Sequence, residues 1–303
     1  MTIENTAFER YRRSPNEKTT LPRLFLGTAI VIAFWMAMTA LVLFAGTYAY
    51  IVWRLPGPST GRYMQDFLAS PTGILSALTS FIGIWLGLWA AMRWVHGEPL
   101  WALVGVSRRA SRSGFLKGLV AVLLTSLLSE VLLYWLQPEI ARGDITLSSW
   151  LLFLVPIVLL TLLQISSEEV LFRGYLLRGL ASRFSSPLVW ALLPGLLFTS
   201  LHWSAGASLA INACVMVSIA AFGAHLGNNL TGFLLISHQE GYNAFALFIA
   251  KPLEGPGWTT TDAAIVALIG IGCTLLTILM LLHPRSPLKV TPERADLVAG
   301  TVS

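Results

Sequence analysis

Two neighbouring carboxylates and a guanidinium, Glu168, Glu169 and Arg173, stand directly after a long apolar run, in the stretch Ser166 to Arg173. An ionisable side chain at membrane depth costs about 3 kcal/mol or more on insertion scales, so it needs a partner and is read first as functional. Glu169 and Arg173 are four positions apart. On a helix they share a face and can pair, which lowers the cost of holding either one in a poorly solvated place. Glu168 is turned about 100° from that pair and is left to address another helix. Its chemistry is that of a general base, provided an orienting group lies within reach.

The next apolar run ends in Phe198-Thr199-Ser200-Leu201-His202. If the chain turns at residues 185–187, Glu168 precedes the turn and His202 follows it by nearly equal lengths. Each is then roughly 24 Å along its helix at 1.5 Å per residue, so carboxylate and imidazole share a level. Further on, His225 and Asn229 are four apart in His225-Leu226-Gly227-Asn228-Asn229. An imidazole and a carboxamide on one helix face can donate hydrogen bonds to a developing oxyanion. Together, Glu168, Glu169, Arg173, His202, His225 and Asn229 comprise a base, its electrostatic support and oxyanion donors.

Glu-Glu-x-x-x-Arg, Phe-x-x-x-His and His-x-x-x-Asn, in that order on apolar helices, resemble the CPBP family of CAAX prenyl endopeptidases and bacteriocin-processing membrane proteases. The resemblance covers about residues 148–240. It implies hydrolysis of a peptide bond within the bilayer by a glutamate-activated water, at a site reached from the cytoplasmic side. By carry-over, Glu168 with His202 would activate the water, Glu169 and Arg173 would orient the site, and His225 with Asn229 would stabilise the oxyanion. One departure stands out: the family fits a complete helix and a loop between its second and third motifs, whereas only 22 residues separate His202 from His225. The chain must therefore reverse or break between Asn212 and Gly223.

These residues require a membrane-embedded scaffold, and the composition supplies it. The chain has 303 residues, 55% of them hydrophobic and only 12% charged, with a mean hydropathy of +0.70. Its apolar residues come in blocks of helical spanning length, which predicts an all-α polytopic transmembrane bundle of seven or eight spans and argues against a β-barrel. The candidate spans are 24–52, 73–95, 115–137, 148–166, 188–202, 207–236 and 262–283. Trp53, Trp94, Trp135 and Trp150 fall near block ends, where amphipathic rings suit the headgroup layer. Gly83 and Gly87 form a Gly-x-x-x-Gly pair suited to close packing inside the bundle.

The organisation read from these blocks is a cytoplasmic tail (1–23), N-terminal spans (24–147), catalytic helices (148–240), a loop and last span (241–283) and a cytoplasmic C-terminal tail (284–303). Arg108, Arg109 and Arg112, then Arg173, Arg178 and Arg183, then Arg285, Lys289 and Arg294 mark cytoplasmic regions by the positive-inside rule. The expected location is thus the cell inner membrane, multi-pass, with the N-terminus in the cytoplasm. The net charge of +5 is spread beside the apolar blocks and does not point to nucleic acid. Cys214 and Cys273 lie in separate apolar runs without metal-ligand or disulfide spacing.

Other intramembrane chemistries lack their motifs. There is no His-Glu-x-x-His and no Gly-x-Gly-Asp, and Leu209 after Gly206-Ala207-Ser208 breaks a rhomboid-type serine motif. Glu130, in a second apolar block, reads as snorkelling or pairing with Ser126, and His238 reads as part of a loop. The site is read as working without a metal or other cofactor, while zinc held by Glu168, His202 and His225 stays open because those ligand types suit it. The implied partners are the lipid bilayer and a membrane-associated or lipidated peptide or protein substrate; oligomeric state is left open. Two competing classes are a non-catalytic membrane protein on the same scaffold, with an immunity or substrate-binding role, and a secondary transporter using Glu130 and Glu168. The transporter class calls for symmetric halves, and the sequence has no visible repeat.

Overall fold

One long helical run organises the chain. Helix α7 (Leu147–Glu169) passes without interruption through a π-helical segment (Val170–Leu176) into α8 (Leu177–Ala181). It opens on Thr146, whose side chain accepts from the Ser149 N–H and so satisfies one of the unpaired donors of the first turn. The expected fourth span ended at residue 166, but the helix runs through both glutamates to Ala181. The polar residues do not end it because Leu171, Phe172 and Tyr175 beyond them are buried in the bundle.

The computed structural model describes residues 7–53, 63–105, 111–136, 138–200, 227, 229–238, 242–251 and 259–290. His202, His225, Cys214 and most of the span expected at 207–236 lie outside the described residues. Before α7 come α1 (Ala7–Arg12), α2 (Leu21–Trp53), α3 (Tyr63–Leu68), α4 (Pro71–Thr79), α5 (Ile82–Ala90, continued by a π-helical turn to His96) and α6 (Arg112–Leu136). After α8 a turn leads through Leu188–Leu192 into α9 (Leu193–Ser200), and the last described helix is α10 (Thr260–Leu282). Five described stretches are long and apolar enough to cross a membrane: Leu21–Trp53, Pro71–His96, Arg112–Leu136, Leu147–Ala181 and Ala264–Leu282. Leu188–Phe198 is a shorter apolar helix. The protein is accordingly a multi-pass helical membrane protein. Its lipid-facing surface carries large apolar side chains, such as Phe44, Leu152 and the tryptophans Trp53 and Trp135 near helix ends.

The expected all-α character holds for the bundle but misses a small sheet. Strands β1 (Ile140–Arg142), β2 (Ile236–Ser237) and β3 (Phe248–Ala250) lie in the order β1-β3-β2, with β1 antiparallel and β2 parallel to β3. The segments that join the helices there must satisfy their backbone groups, and cross-strand pairing does so. Nothing in the helical periodicity signals such short, distant partners.

Packing forms two apolar clusters strung along α7 and α8. Ile157 sits in one cluster with Ile74, Leu78, Leu234 and Phe245. Leu171, Phe172 and Tyr175 sit in the other with Leu24, Leu88, Leu103 and Phe198. Glycine lets α2 and α5 close on one another: a Cβ at Gly87 would come within 2.6 Å of the Val31 Cα, and one at Gly83 within 2.7 Å of the Phe34 carbonyl oxygen. The Gly-x-x-x-Gly pair therefore serves internal packing, as its spacing suggested.

Candidate active site

Glu168 and Glu169 lie on α7 between the two clusters, at the start of the π-helical segment. Such segments are single-turn departures often found at functional sites. Glu168 is 7% exposed, and its Oε1 accepts a long hydrogen bond of 3.4 Å from the Gln164 side-chain amide one turn earlier. Glu169 forms the expected ion pair with Arg173, Nη1 to Oε2 at 3.0 Å, with both side chains partly exposed. The two carboxylates thus divide as the spacing predicts: Glu169 faces the cation, and Glu168 turns inward.

The hairpin deduced from residue counts is observed. The helical run ends at Ala181, and the next helical segment starts at Leu188. The ring of Phe172, between the first-motif residues Glu168 and Arg173, packs on that of Phe198 with centroids 5.0 Å apart and planes at 51°. Phe198 opens the second motif and is itself buried. The two motif-bearing helices therefore meet face to face at matched levels.

Of the six residues singled out by sequence, Glu168, Glu169 and Arg173 share one helical run, and Asn229 is placed on a separate short helical stretch. That stretch leads into a π-helical turn at Thr231–Leu235. It packs on its neighbours through Gly227, where an added Cβ would lie 2.5 Å from Val122 of α6, and through Leu234, whose carbonyl accepts from the Trp150 indole N–H at 2.9 Å. His202 and His225 fall outside the described residues. Two of the three ligands of the zinc alternative are therefore not placed. Among the described residues no group of three His, Cys, Asp or Glu side chains could hold a metal ion.

Several polar residues take roles that sequence reasoning missed. Arg178 reads from the chain as one more cytoplasmic basic residue, yet it is only 4% exposed. It pairs with Glu98 at 2.6 Å, donates to Ser14 Oγ at 3.1 Å, and lies 6.0 Å from the centre of the Tyr11 ring. Tyr11 donates to the carbonyls of Leu103 and Gly174, and Arg183 donates to that of Thr19. Burial pushes the Tyr11 phenol up to about 12, so it remains a donor. The N-terminal segment expected as a tail is thus docked across the end of the helical run that bears the glutamates. These partners are distant in sequence, so no local signal announces them.

Glu130 is a second correction. Its partner is His238, with Nε2 to Oε2 at 2.9 Å, and not Ser126. The other ring nitrogen of His238 lies 3.3 Å from the Lys251 carbonyl. Burial works to lower the imidazole pKa, but the hydrogen bond to Glu130, its charge and the Lys251 carbonyl outweigh it and raise the imidazole above its ordinary value.

Cavities among the described residues include the following two. One, of about 320 Å³, is an aliphatic groove between α6 and α10 bounded by residues such as Leu128, Leu268 and Leu276. It lies away from the glutamates. The other, of about 250 Å³, has Gln164 on its wall and so touches the residue that bonds Glu168.

Comparison with known proteins agrees with the motifs. Residues 148–280 match the family model of type II CAAX prenyl endopeptidases, Rce1-like. That segment includes all six residues singled out by sequence. The chain is also similar to YyaK of Bacillus subtilis (strain 168), an uncharacterized protein, with 22% identity over 188 residues. That alignment covers 61% of this chain and 62% of the relative, less than two thirds of its length. No solved structure matches the chain.

Proposed function

From the match of residues 148–280 to the family model of Rce1-like type II CAAX prenyl endopeptidases, we propose that the protein is an intramembrane endopeptidase. It hydrolyses a peptide bond of a membrane-associated or lipidated substrate through a water activated by Glu168. Residues 148–240 form the catalytic helices. The N-terminus and the basic segments face the cytoplasm, in the cell inner membrane.

The observation that carries this reading is the contact of Phe172 with Phe198. Glu168 precedes Phe172 by four residues, and His202 follows Phe198 by four. The spacing is symmetric about a contact that already joins the two helices, and it supports Glu168 and His202 as partners. In the proposed reaction Glu168 takes a proton from water as its oxygen attacks the carbonyl carbon. His225 and Asn229 donate to the oxyanion so formed. The C–N bond then breaks, and the proton held by Glu168 passes to the leaving amine. The Glu169–Arg173 pair holds the neighbouring turn of helix in register.

The test is cleavage of a panel of membrane-anchored and prenylated peptides by the purified full chain in proteoliposomes. Wild type is expected to yield two fragments, and Glu168→Ala and His202→Ala to yield little or none. Cleavage that survives loss of Glu168 would remove it as the base. A wild type that binds peptides without cutting them would favour the non-catalytic class.

A further inference from the structure

We propose that Gln164 and the cavity beside it form a subsite of this endopeptidase for one large apolar side chain of the substrate. The occupied position lies about two residues from the bond that is cut. The proposal rests on the reading of Glu168 given above.

The cavity is built from three parts of the chain. Ile74, Ala77 and Leu78 of α4, with Phe81 just beyond it, make one wall. Phe233, in the turn that follows Asn229, and Tyr242 make the other. Tyr242 takes φ 58°, the left-handed conformation that residues with a side chain seldom adopt. Strain of this kind clusters where a side chain is held for a ligand. The walls are aliphatic and aromatic, so an apolar occupant is favoured and a charged one is opposed.

Volume narrows the choice. Pockets for whole small ligands span about 300–1,000 Å³, and this cavity, at about 250 Å³, falls below that range. It suits a single leucine- to phenylalanine-sized side chain.

Position ties the cavity to the chemistry. Gln164 is on its wall and donates to Glu168 Oε1. One helical turn separates these two residues, about 6 Å at 1.5 Å per residue. An extended chain rises about 3.3 Å per residue, so a substrate whose scissile carbonyl lies at Glu168 reaches the cavity about two residues away. The Gln164 side-chain oxygen Oε1 is buried and takes no hydrogen bond among the described residues. The side-chain amide nitrogen of the same residue holds the Glu168 carboxylate. Gln164 thus acts as a positioning and specificity residue between pocket and base.

The experiment uses the full chain in nanodiscs and membrane-spanning Leu/Ala peptides in which photo-leucine is moved one position at a time. Crosslinks are expected at Phe81, Phe233 or Tyr242 from one peptide position, and Ala77→Trp, which fills the cavity, should suppress them. In parallel, cleavage of peptides with Leu or Phe at that position should fall about tenfold or more in kcat/KM in Ala77→Trp, the usual scale for a hydrophobic specificity pocket. Peptides with Ala there should be little changed. Phe233→Ala, which enlarges the cavity, serves if Ala77→Trp does not fold, and should shift preference from Leu towards bulkier residues. Crosslinks that map elsewhere or go to lipid, or cleavage equally affected for large and small residues, would overturn the subsite. Crosslinks at the pocket without wild-type cleavage would instead overturn the endopeptidase reading and leave a peptide-binding pocket.

Discussion

Glu130 and Glu168 are both carboxylates on long apolar helices, and the fold uses them in opposite ways. Glu130 meets an imidazole at 2.9 Å, and that imidazole is fixed in turn by a backbone carbonyl at 3.3 Å. The pair joins α6 to the segment just after β2. Glu168 accepts from the neutral Gln164 side-chain amide at the longer distance of 3.4 Å, and Gln164 lines a cavity. An imidazole that is itself anchored to a backbone carbonyl fixes the position of the carboxylate it bonds. Charge at membrane depth is therefore not by itself a mark of catalysis: Glu130 bridges two segments distant in sequence, whereas Glu168 stands in the motif-bearing segment that matches the endopeptidase family model.

The contrast is broken or sharpened most directly by activity. Glu168→Ala is expected to lower the cleavage rate by about 10²–10⁴, the range for a general base, whereas Glu130→Ala should leave kcat near that of wild type. Equal losses in the same proteoliposome assay would dissolve the distinction. Stability should show the reverse order. His238→Ala leaves Glu130 without its partner and should cost about 3 kcal/mol in unfolding measurements in detergent. Gln164→Leu should cost about 1 kcal/mol, the net worth of one hydrogen bond. Joint replacement of Glu130 and His238 by leucine should recover most of the loss, because no buried charge then remains unpaired.

The pH dependence follows from the raised pKa of His238. A group raised in the folded state adds stability that is fully present below its unfolded value, near 6.5, and lost as pH rises through its folded value. The Tm of the wild type should therefore fall as pH rises above 6.5 and through that higher value, and His238→Gln should flatten this part of the profile. A Tm that rises over the same interval would contradict the pairing. The smallest effect is expected at the Glu169–Arg173 pair, which is partly exposed. Glu169→Gln should change stability by only about 0–1 kcal/mol, so a clear loss of activity there would report orientation of the site and not folding.

Much of the scaffold was legible along the chain. The apolar blocks that begin near residues 24, 73, 115 and 148 correspond to four of the long helices, and the block near 262 corresponds to α10. Glu169 and Arg173 pair because four residues bring side chains onto one helix face. Gly83 and Gly87 pack helices closely for the same periodic reason. Counting residues on either side of one turn set Glu168 level with His202; His202 lies outside the described residues, and the contact of Phe172 with Phe198 joins the same two helices. The helix of the fourth block runs past residue 166 to Ala181, because the residues beyond the glutamates remain packed in the bundle.

Contacts over long sequence separations were beyond such reasoning. Glu130 with His238, Glu98 with Arg178, and Tyr11 with Gly174 join residues at least 80 positions apart. The sheet pairs a short strand between α6 and α7 with two strands more than 90 positions later in the chain. By itself the sequence determined the membrane class, the main helices and which carboxylate would be tied to an arginine, since all of these rest on composition and on a period of 3.6 residues. Only the tertiary structure decided that Glu130 is held by His238, that the N-terminal segment locks Arg178, and that Gln164 joins Glu168 to a cavity. Which side chains meet across a bundle is set by how helices pack and turn together, and no local period encodes that.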